Sequence, residues 1–378
     1  AKVVFADAAH ADAARRAAGP VGAEVVVLGD AFERWLGDAS DAPVDPDGAA
    51  GGNMIYTSGT TGRPKGVQRA RPKTLGAALD AQRAYAERIG LDGSGPHLVT
   101  GPLYHSSPLM LAVYELQTGA PAIVMPRWDE RAFLAQVDER EVRHTHLVPT
   151  MFVRLLHLPE HGRAASPRAA LDRVLHGAAP IAPDTKRAMI DWWGPVLVEY
   201  WGGTEGGIQT LIESDDWLAH PGSVGRALPM FEIFAVDDDG RRLPPGEIGT
   251  LYCRDERFAE PFRYHKDPEK TAAALLGPHV FTLGDMGSVD AEGYVYLADR
   301  KSNMIISGGV NIYPAEIEQV LIAHPAVADA AVFGIPDDEW GESVKAAVEL
   351  TDGSAPSDEL APDILAFAGR RLGRSKLP

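Results

Sequence analysis

The chain has 378 residues, 45% of them apolar, with 53 acids against 36 bases and a formal net charge of −17. That length exceeds one typical core and predicts two or more domains, and the acidic balance argues against non-specific nucleic-acid binding and for a soluble, cytoplasmic protein. The single cysteine, Cys253, excludes an internal disulfide and a multi-cysteine metal site, and no apolar run approaches a transmembrane segment.

In chain order, residues 3–6 form a short apolar run and residues 7–18 a helical pattern. The same pairing recurs as a strand at 24–28 and a helix at 31–36. Strand alternating with helix predicts a parallel α/β sheet. The opening, Ala1-Lys2-Val3-Val4-Phe5-Ala6-Asp7, has no initiator methionine and reads as a strand rather than a signal peptide, so the chain is expected to be part of a longer protein. Residues 40–52, rich in Asp, Pro, Gly and Ala, read as a loop.

The next stretch, Tyr56-Thr57-Ser58-Gly59-Thr60-Thr61-Gly62-Arg63-Pro64-Lys65-Gly66-Val67, follows the apolar run Met54-Ile55-Tyr56. Glycines let the backbone come close to a ligand, successive N–H groups make an anion-binding nest, and hydroxyls and Lys65 add donors and charge. This composition predicts a phosphate cradle. It is not a Walker loop, because no glycine precedes Lys65 at the required spacing. A generic Ser/Thr/Gly surface loop is the plainer reading, and it accounts poorly for a lysine-closed run directly after a strand.

Helical stretches are predicted at 73–89, 109–117, 130–140, 149–156 and 183–193. The intervening strands are 97–100, 122–125, 145–148, 171–176 and 196–200. Three polar segments follow strands in this series: Gly101-Pro102-Leu103-Tyr104-His105-Ser106-Ser107-Pro108, Gly177-Ala178-Ala179-Pro180 and Trp201-Gly202-Gly203-Thr204-Glu205-Gly206-Gly207. Ligand sites of open α/β sheets favour such positions. From residue 222 short strands and turns predict a β-rich subdomain, about 222–301. A polar break at 299–303 precedes a compact α+β segment. The expected fold is α/β: a large N-terminal domain of stacked α/β sheets with its β-rich subdomain, residues 1–301, and a small mobile α+β C-terminal domain, residues 302–378.

Residues 56–67 resemble the phosphate loop of the adenylate-forming superfamily, which includes acyl-CoA synthetases, carrier-protein adenylation domains and firefly luciferase. Trp201-Gly202-Gly203-Thr204-Glu205, Leu283-Gly284-Asp285-Met286-Gly287, Asp299-Arg300 and Ser307-Gly308-Gly309-Val310-Asn311-Ile312-Tyr313-Pro314-Ala315-Glu316-Ile317-Glu318 are similar to further segments of that superfamily, in the same order. The resemblance implies a carboxylate–CoA ligase: an acid attacks the α-phosphate of ATP, pyrophosphate leaves, and coenzyme A then displaces AMP. It implies that Thr57, Ser58, Gly59, Thr60, Thr61, Gly62 and Lys65 hold the outer phosphates. Gly177, Ala178 and Ala179 border the adenine, as do Trp201, where the family usually has tyrosine, and Gly202. Thr204 meets the α-phosphate, Glu205 holds Mg²⁺, a hard cation suited to oxygen ligands, and Asp285 and Arg300 take the ribose. His105 is placed as an aromatic gate to the acyl site, with a capping or packed histidine as the plainer reading. Gly308 and Gly309 line the pantetheine path. Each carboxylate or arginine in this set also has a plainer reading, as a solvated loop acid or a surface ion pair.

Three departures stand out. Ser302 occupies the hinge position where the family commonly has Asp or Lys, although a hinge needs permissive backbone torsions more than one side chain. The family's C-terminal catalytic lysine is expected beyond Pro378, since neither Lys345 nor Lys376 has its Gly-Lys context. The family's opening region is expected before Ala1. The acid is read as fatty or aryl, and the partner is this small carboxylic acid, with no nucleic acid. Oligomeric state is not readable, and a homodimer is compatible with the sequence. Two alternatives stay open: a superfamily member with another acceptor, such as a carrier protein or the nitrite of a diazotase, and a non-catalytic nucleotide-binding fragment.

Overall fold

Strands Arg173–His176 and Leu197–Gly203 are buried on both faces, and each face has its own apolar core. Val174 and Leu197 pack with Phe133, Phe152 and Met189, whereas Leu175 and Val198 pack with Ala86, Leu111 and Tyr114. Side chains alternate across a strand, so a parallel strand covered by helices on both sides carries a continuous apolar run. Helices Glu130–Glu139, Pro149–Leu156 and Pro183–Trp193 supply one cover, and Leu75–Arg88 and Ser106–Thr118 the other.

The computed structural model describes residues 2–57, 65–159, 170–300, 303–307, 310–337, 340–351 and 353–378, with the side chains of Arg300 and Ser375 outside that set. Two compact units are present, Ala1–Gly48 and Ala49–Pro378. In the first, strands Val3–Ala6 and Glu24–Val27 pair in parallel, joined through helix Ala11–Ala18 and followed by helix Asp30–Gly37. The first helix starts later than the sequence pattern suggests, because Asp7 accepts a hydrogen bond from the His10 backbone N–H at 2.8 Å and forms a turn there.

The second unit is built on a 12-stranded mixed sheet. Its parallel part runs Leu197–Gly203, Arg173–His176, His144–Leu147, His97–Val99, Ala122–Val124. Strands Ser223–Ala227, Tyr294–Arg300, Val280–Val289, Gly249–Arg254 and Glu232–Val236 extend this same sheet in antiparallel fashion beyond Gly207–Glu213. A three-stranded antiparallel sheet combines Ile55–Thr57, Lys65–Arg69 and Phe262–Tyr264. A four-stranded sheet near the C-terminus is ordered Val310–Ile312, Ile305–Ser307, Gly341–Leu350, Val327–Asp337, and its core includes helices Pro314–Ile322 and Leu360–Gly369. Cys253 is fully buried in strand Gly249–Arg254, as its apolar setting predicts.

Candidate active site

Three of the polar segments singled out above follow the carboxyl ends of strands in the parallel series, which brings them to one edge of the sheet. Gly177 follows Arg173–His176. A Cβ there would sit 2.6 Å from the Tyr200 carbonyl oxygen, so the close crossing of the two strands excludes a side chain. Ala178 next to it has φ +67°, a left-handed conformation unusual for a residue with a Cβ. Ala179 and Pro180 line a cavity of about 150 Å³ with Thr150, Ala315 and Glu318, so this turn faces the helix Pro314–Ile322.

The segment expected at the adenine and the metal has a different local structure from the predicted one. The strand runs on to Gly203 and doubles back as Gly207–Glu213, so Thr204, Glu205 and Gly206 form the turn of a β-hairpin. Gly202 allows this, since a Cβ at that position would lie 2.1 Å from the Gly207 carbonyl oxygen. Trp201, in the strand itself, donates its indole N–H to Asp285 Oδ2 at 2.8 Å. Asp285 and Arg300 are direct cross-strand partners, so the two residues expected at the ribose are adjacent in the backbone.

Lys65, which closes the predicted cradle, opens strand Lys65–Arg69 and pairs across the hairpin with Thr57. The helix that follows begins at Leu75, with the Thr74 hydroxyl accepting from the Ala77 N–H. Ser58, Gly59, Thr60, Thr61, Gly62, Ser302, Gly308 and Gly309 lie outside the described residues, as does the Arg300 side chain.

The Thr204–Gly206 turn is held from behind by groups that no sequence motif pointed to. Arg69 donates to the Gly206 carbonyl at 3.0 Å. The Tyr85 hydroxyl donates to the Ile208 carbonyl at 2.9 Å and accepts from the Ile208 N–H at 2.8 Å. Tyr264 donates its phenol to Glu205 Oε1 at 2.7 Å, and the Lys65 ammonium lies 5.0 Å from the centre of the same ring. The only local signals for these three were an arginine just after the phosphate loop and tyrosines on apolar patterns.

His105 stands apart. It is exposed at the start of helix Ser106–Thr118, its ring 4.6 Å from that of Tyr104. Ser107, two residues further on, accepts from the Tyr200 hydroxyl at 2.8 Å, and His146 Nε2 is 2.8 Å from that same hydroxyl. Burial raises the Tyr200 phenol to about 12 and, with His97 nearby, lowers His146 to about 3. Beneath the Trp201 strand, Lys186 and Glu199 form a buried ion pair of 2.6 Å, with the ammonium 4.7 Å from the Trp217 ring centre. Burial pushes the lysine down and the glutamate up, each opposed by the charge of the other.

Among the described residues, no helix is long and apolar enough to cross a membrane. The same residues hold one group with metal-ligand spacing, the half-buried His220 and Asp290 with the exposed Glu292.

Residues 1–260 match the family model described as AMP-binding enzyme, and residues 316–378 match its C-terminal domain. A long-chain-fatty-acid–CoA ligase of Mycobacterium tuberculosis is 34% identical over 97% of this chain and 71% of its own length. A 2-succinylbenzoate–CoA ligase of Enterococcus faecalis is 35% identical over 79% of this chain and 59% of its own. The crystal structure of ATP-bound MatB from Rhodopseudomonas palustris superposes with a TM-score of 0.81 at 28% identity, covering 100% of this chain and 74% of that one. The match spans both lobes of the α/β architecture and every segment placed at this sheet edge: the chain belongs to the AMP-binding, adenylate-forming enzyme family.

Proposed function

We propose that the protein is an ATP-dependent acid–thiol ligase that activates a fatty or aryl carboxylic acid as its acyl-adenylate and passes the acyl group to coenzyme A. The carrying observation is that Lys65, from the phosphate hairpin, and Glu205, from the hairpin turn at the sheet edge, meet at one residue, Tyr264. A cation for phosphate and a carboxylate for a metal are thereby brought to the same place. The names of the two ligases above support the acid and thiol classes, one aliphatic and one aromatic.

The reaction concentrates negative charge on the α-phosphate and on the leaving pyrophosphate, so the protein's task is positioning and electrostatic stabilisation. Lys65, Thr57 and the loop between them would hold the outer phosphates. Asp285 would accept from the ribose hydroxyls, with Trp201 fixing its carboxylate and offering its ring face to the base. Thr204 would meet the α-phosphate. Glu205 fits a hard divalent ion: one of its oxygens accepts from Tyr264, and among the described residues no cationic side chain pairs with it. Mg²⁺ bound there would neutralise phosphate charge in the transition state. His105 would act as the gate, with Ser106 and Ser107 on the acyl side, and Gly308 and Gly309 would admit the pantetheine arm. In this reading residues 1–301 and 302–378 are the two working domains, and the second turns about Ser302.

Pyrophosphate release from the full-length protein, measured over a panel of aliphatic and aromatic acids with and without coenzyme A, tests the proposal. Release with an acid and thioester formation with coenzyme A are expected. No release with any acid sinks it, and adenylate without thioester moves the acceptor away from coenzyme A.

A further inference from the structure

Lys65 and Glu205 carry opposite charges and converge on one point, yet among the described residues they form no ion pair. What stands between them is Tyr264. Its ring face receives the ammonium at 5.0 Å and its hydroxyl donates to Glu205 Oε1 at 2.7 Å. The ring is not free to move away. Strand Phe262–Tyr264 is paired with Lys65–Arg69, placing Tyr264 opposite Val67, and the His265 N–H donates to the Gly66 carbonyl at 2.7 Å. On the other side the Tyr264 N–H donates to the Thr271 hydroxyl at 3.0 Å, and the buried Phe262 ring packs edge-on at 5.2 Å between centres. The tyrosine is thus built into the sheet that carries the phosphate loop, while its hydroxyl reaches the other hairpin.

We propose that Tyr264 is a positioning residue that acts as a spacer: it holds the Glu205 carboxylate in place and prevents Lys65 from pairing with it. This rests on the adenylate-forming reading, in which Lys65 serves phosphate and Glu205 serves the metal. A direct Lys65–Glu205 pair would engage both groups with each other. An aromatic face attracts a cation without a counter-charge, and a phenol donates one hydrogen bond to a carboxylate while leaving its other oxygen for a cation. One side chain therefore keeps two opposite charges close, oriented and available. Phenylalanine retains the first property and loses the second. Leucine loses both.

The test compares Tyr264→Phe and Tyr264→Leu in the full-length protein. ATP binding is followed by calorimetry at a series of Mg²⁺ concentrations, including none, with thermal unfolding alongside. For Tyr264→Phe we expect the Mg²⁺ concentration giving half-maximal ATP affinity to rise about tenfold, with Mg²⁺-free ATP binding and the unfolding midpoint unchanged. For Tyr264→Leu we expect Mg²⁺-free ATP binding to weaken as well, and a crystal structure to show Lys65 Nζ within ion-pair distance of Glu205. In the Glu205→Gln background, Tyr264→Phe should add no further Mg²⁺ effect. Wild-type Mg²⁺ dependence in Tyr264→Phe overturns the positioning role, and a Tyr264→Leu structure with Lys65 and Glu205 still apart overturns the spacer role. If the wild-type protein binds no ATP, the adenylation reading fails instead, and the Tyr264→Leu structure still decides whether the ring separates the charges.

Discussion

Trp201 and Asp285 are 84 positions apart in sequence and joined by a hydrogen bond of 2.8 Å from indole N–H to carboxylate. The bond ties the hairpin strand Leu197–Gly203 to strand Val280–Val289, at the point where Asp285 faces Arg300 across the ladder. The tryptophan supplies a donor that reaches sideways, and Asp285 is oriented by it.

Trp201→Phe keeps an aromatic face and removes that donor. A hydrogen bond to a charged group contributes roughly 1.5–3 kcal/mol, so KM for ATP is expected to rise about tenfold or more while kcat falls less. Steady-state kinetics of pyrophosphate release at saturating acid check the split. An equal fall in kcat with unchanged KM counts against an orienting role for the indole.

Glu205→Gln removes the charge and keeps the shape of the turn. Mg²⁺-dependent adenylation should drop by two or more orders of magnitude, on the scale of losing a charge that acts in the transition state. Near-normal turnover refutes the metal role. The hydrogen bond from Tyr264 can still form to the amide oxygen, so the unfolding midpoint should move little.

The Lys186–Glu199 pair is buried, with the lysine fully inaccessible and the glutamate at 6% side-chain exposure. Breaking such a pair from one side leaves a charge with no partner and no water, at a cost of about 3–5 kcal/mol. Lys186→Met should therefore destabilise strongly in urea unfolding. Adding Glu199→Leu should recover much of the loss, because the pair is replaced by apolar volume. A double variant less stable than the single one would contradict this account.

His146 and His176 are both buried, on neighbouring strands. Burial, aided by His97, lowers His146 to about 3, and burial, aided by Lys186 and His146, lowers His176 well below its ordinary value of 6.5. Below about pH 6.5 the unfolded chain takes up protons that the folded one refuses. The stabilisation is thus fully present above pH 6.5 and is lost as pH falls towards the folded values. Each such proton contributes a slope of about 1.4 kcal/mol per pH unit. Urea unfolding at pH 7.5, 6 and 5 should show this loss, and a His146→Gln, His176→Met double variant should lose less. An unchanged slope in the variant would place the acid sensitivity elsewhere.

The sequence by itself determined whatever depends on neighbours along the chain. Alternating apolar runs and helical periods located the strands and helices of the parallel sheet within a few residues. The glycine- and hydroxyl-rich run at 57–65, the Gly-Gly-Thr-Glu segment and the Gly-Asp segment marked a nucleotide enzyme, because backbone approach and phosphate charge demand those residue types in short stretches. The tertiary structure decided what depends on pairing between distant strands. Hairpin register carries Leu197–Gly203 past its expected end and turns Thr204–Gly206 back on itself. Lys65 lies on a strand because Thr57 and Phe262–Tyr264 complete a sheet around it. Arg69, Tyr85 and Tyr264 reach the hairpin around Thr204–Gly206 through hydrogen bonds spanning 137, 123 and 59 positions. No local pattern encodes such contacts, since a single polar side chain acquires its partner only when the sheet closes and removes water from both.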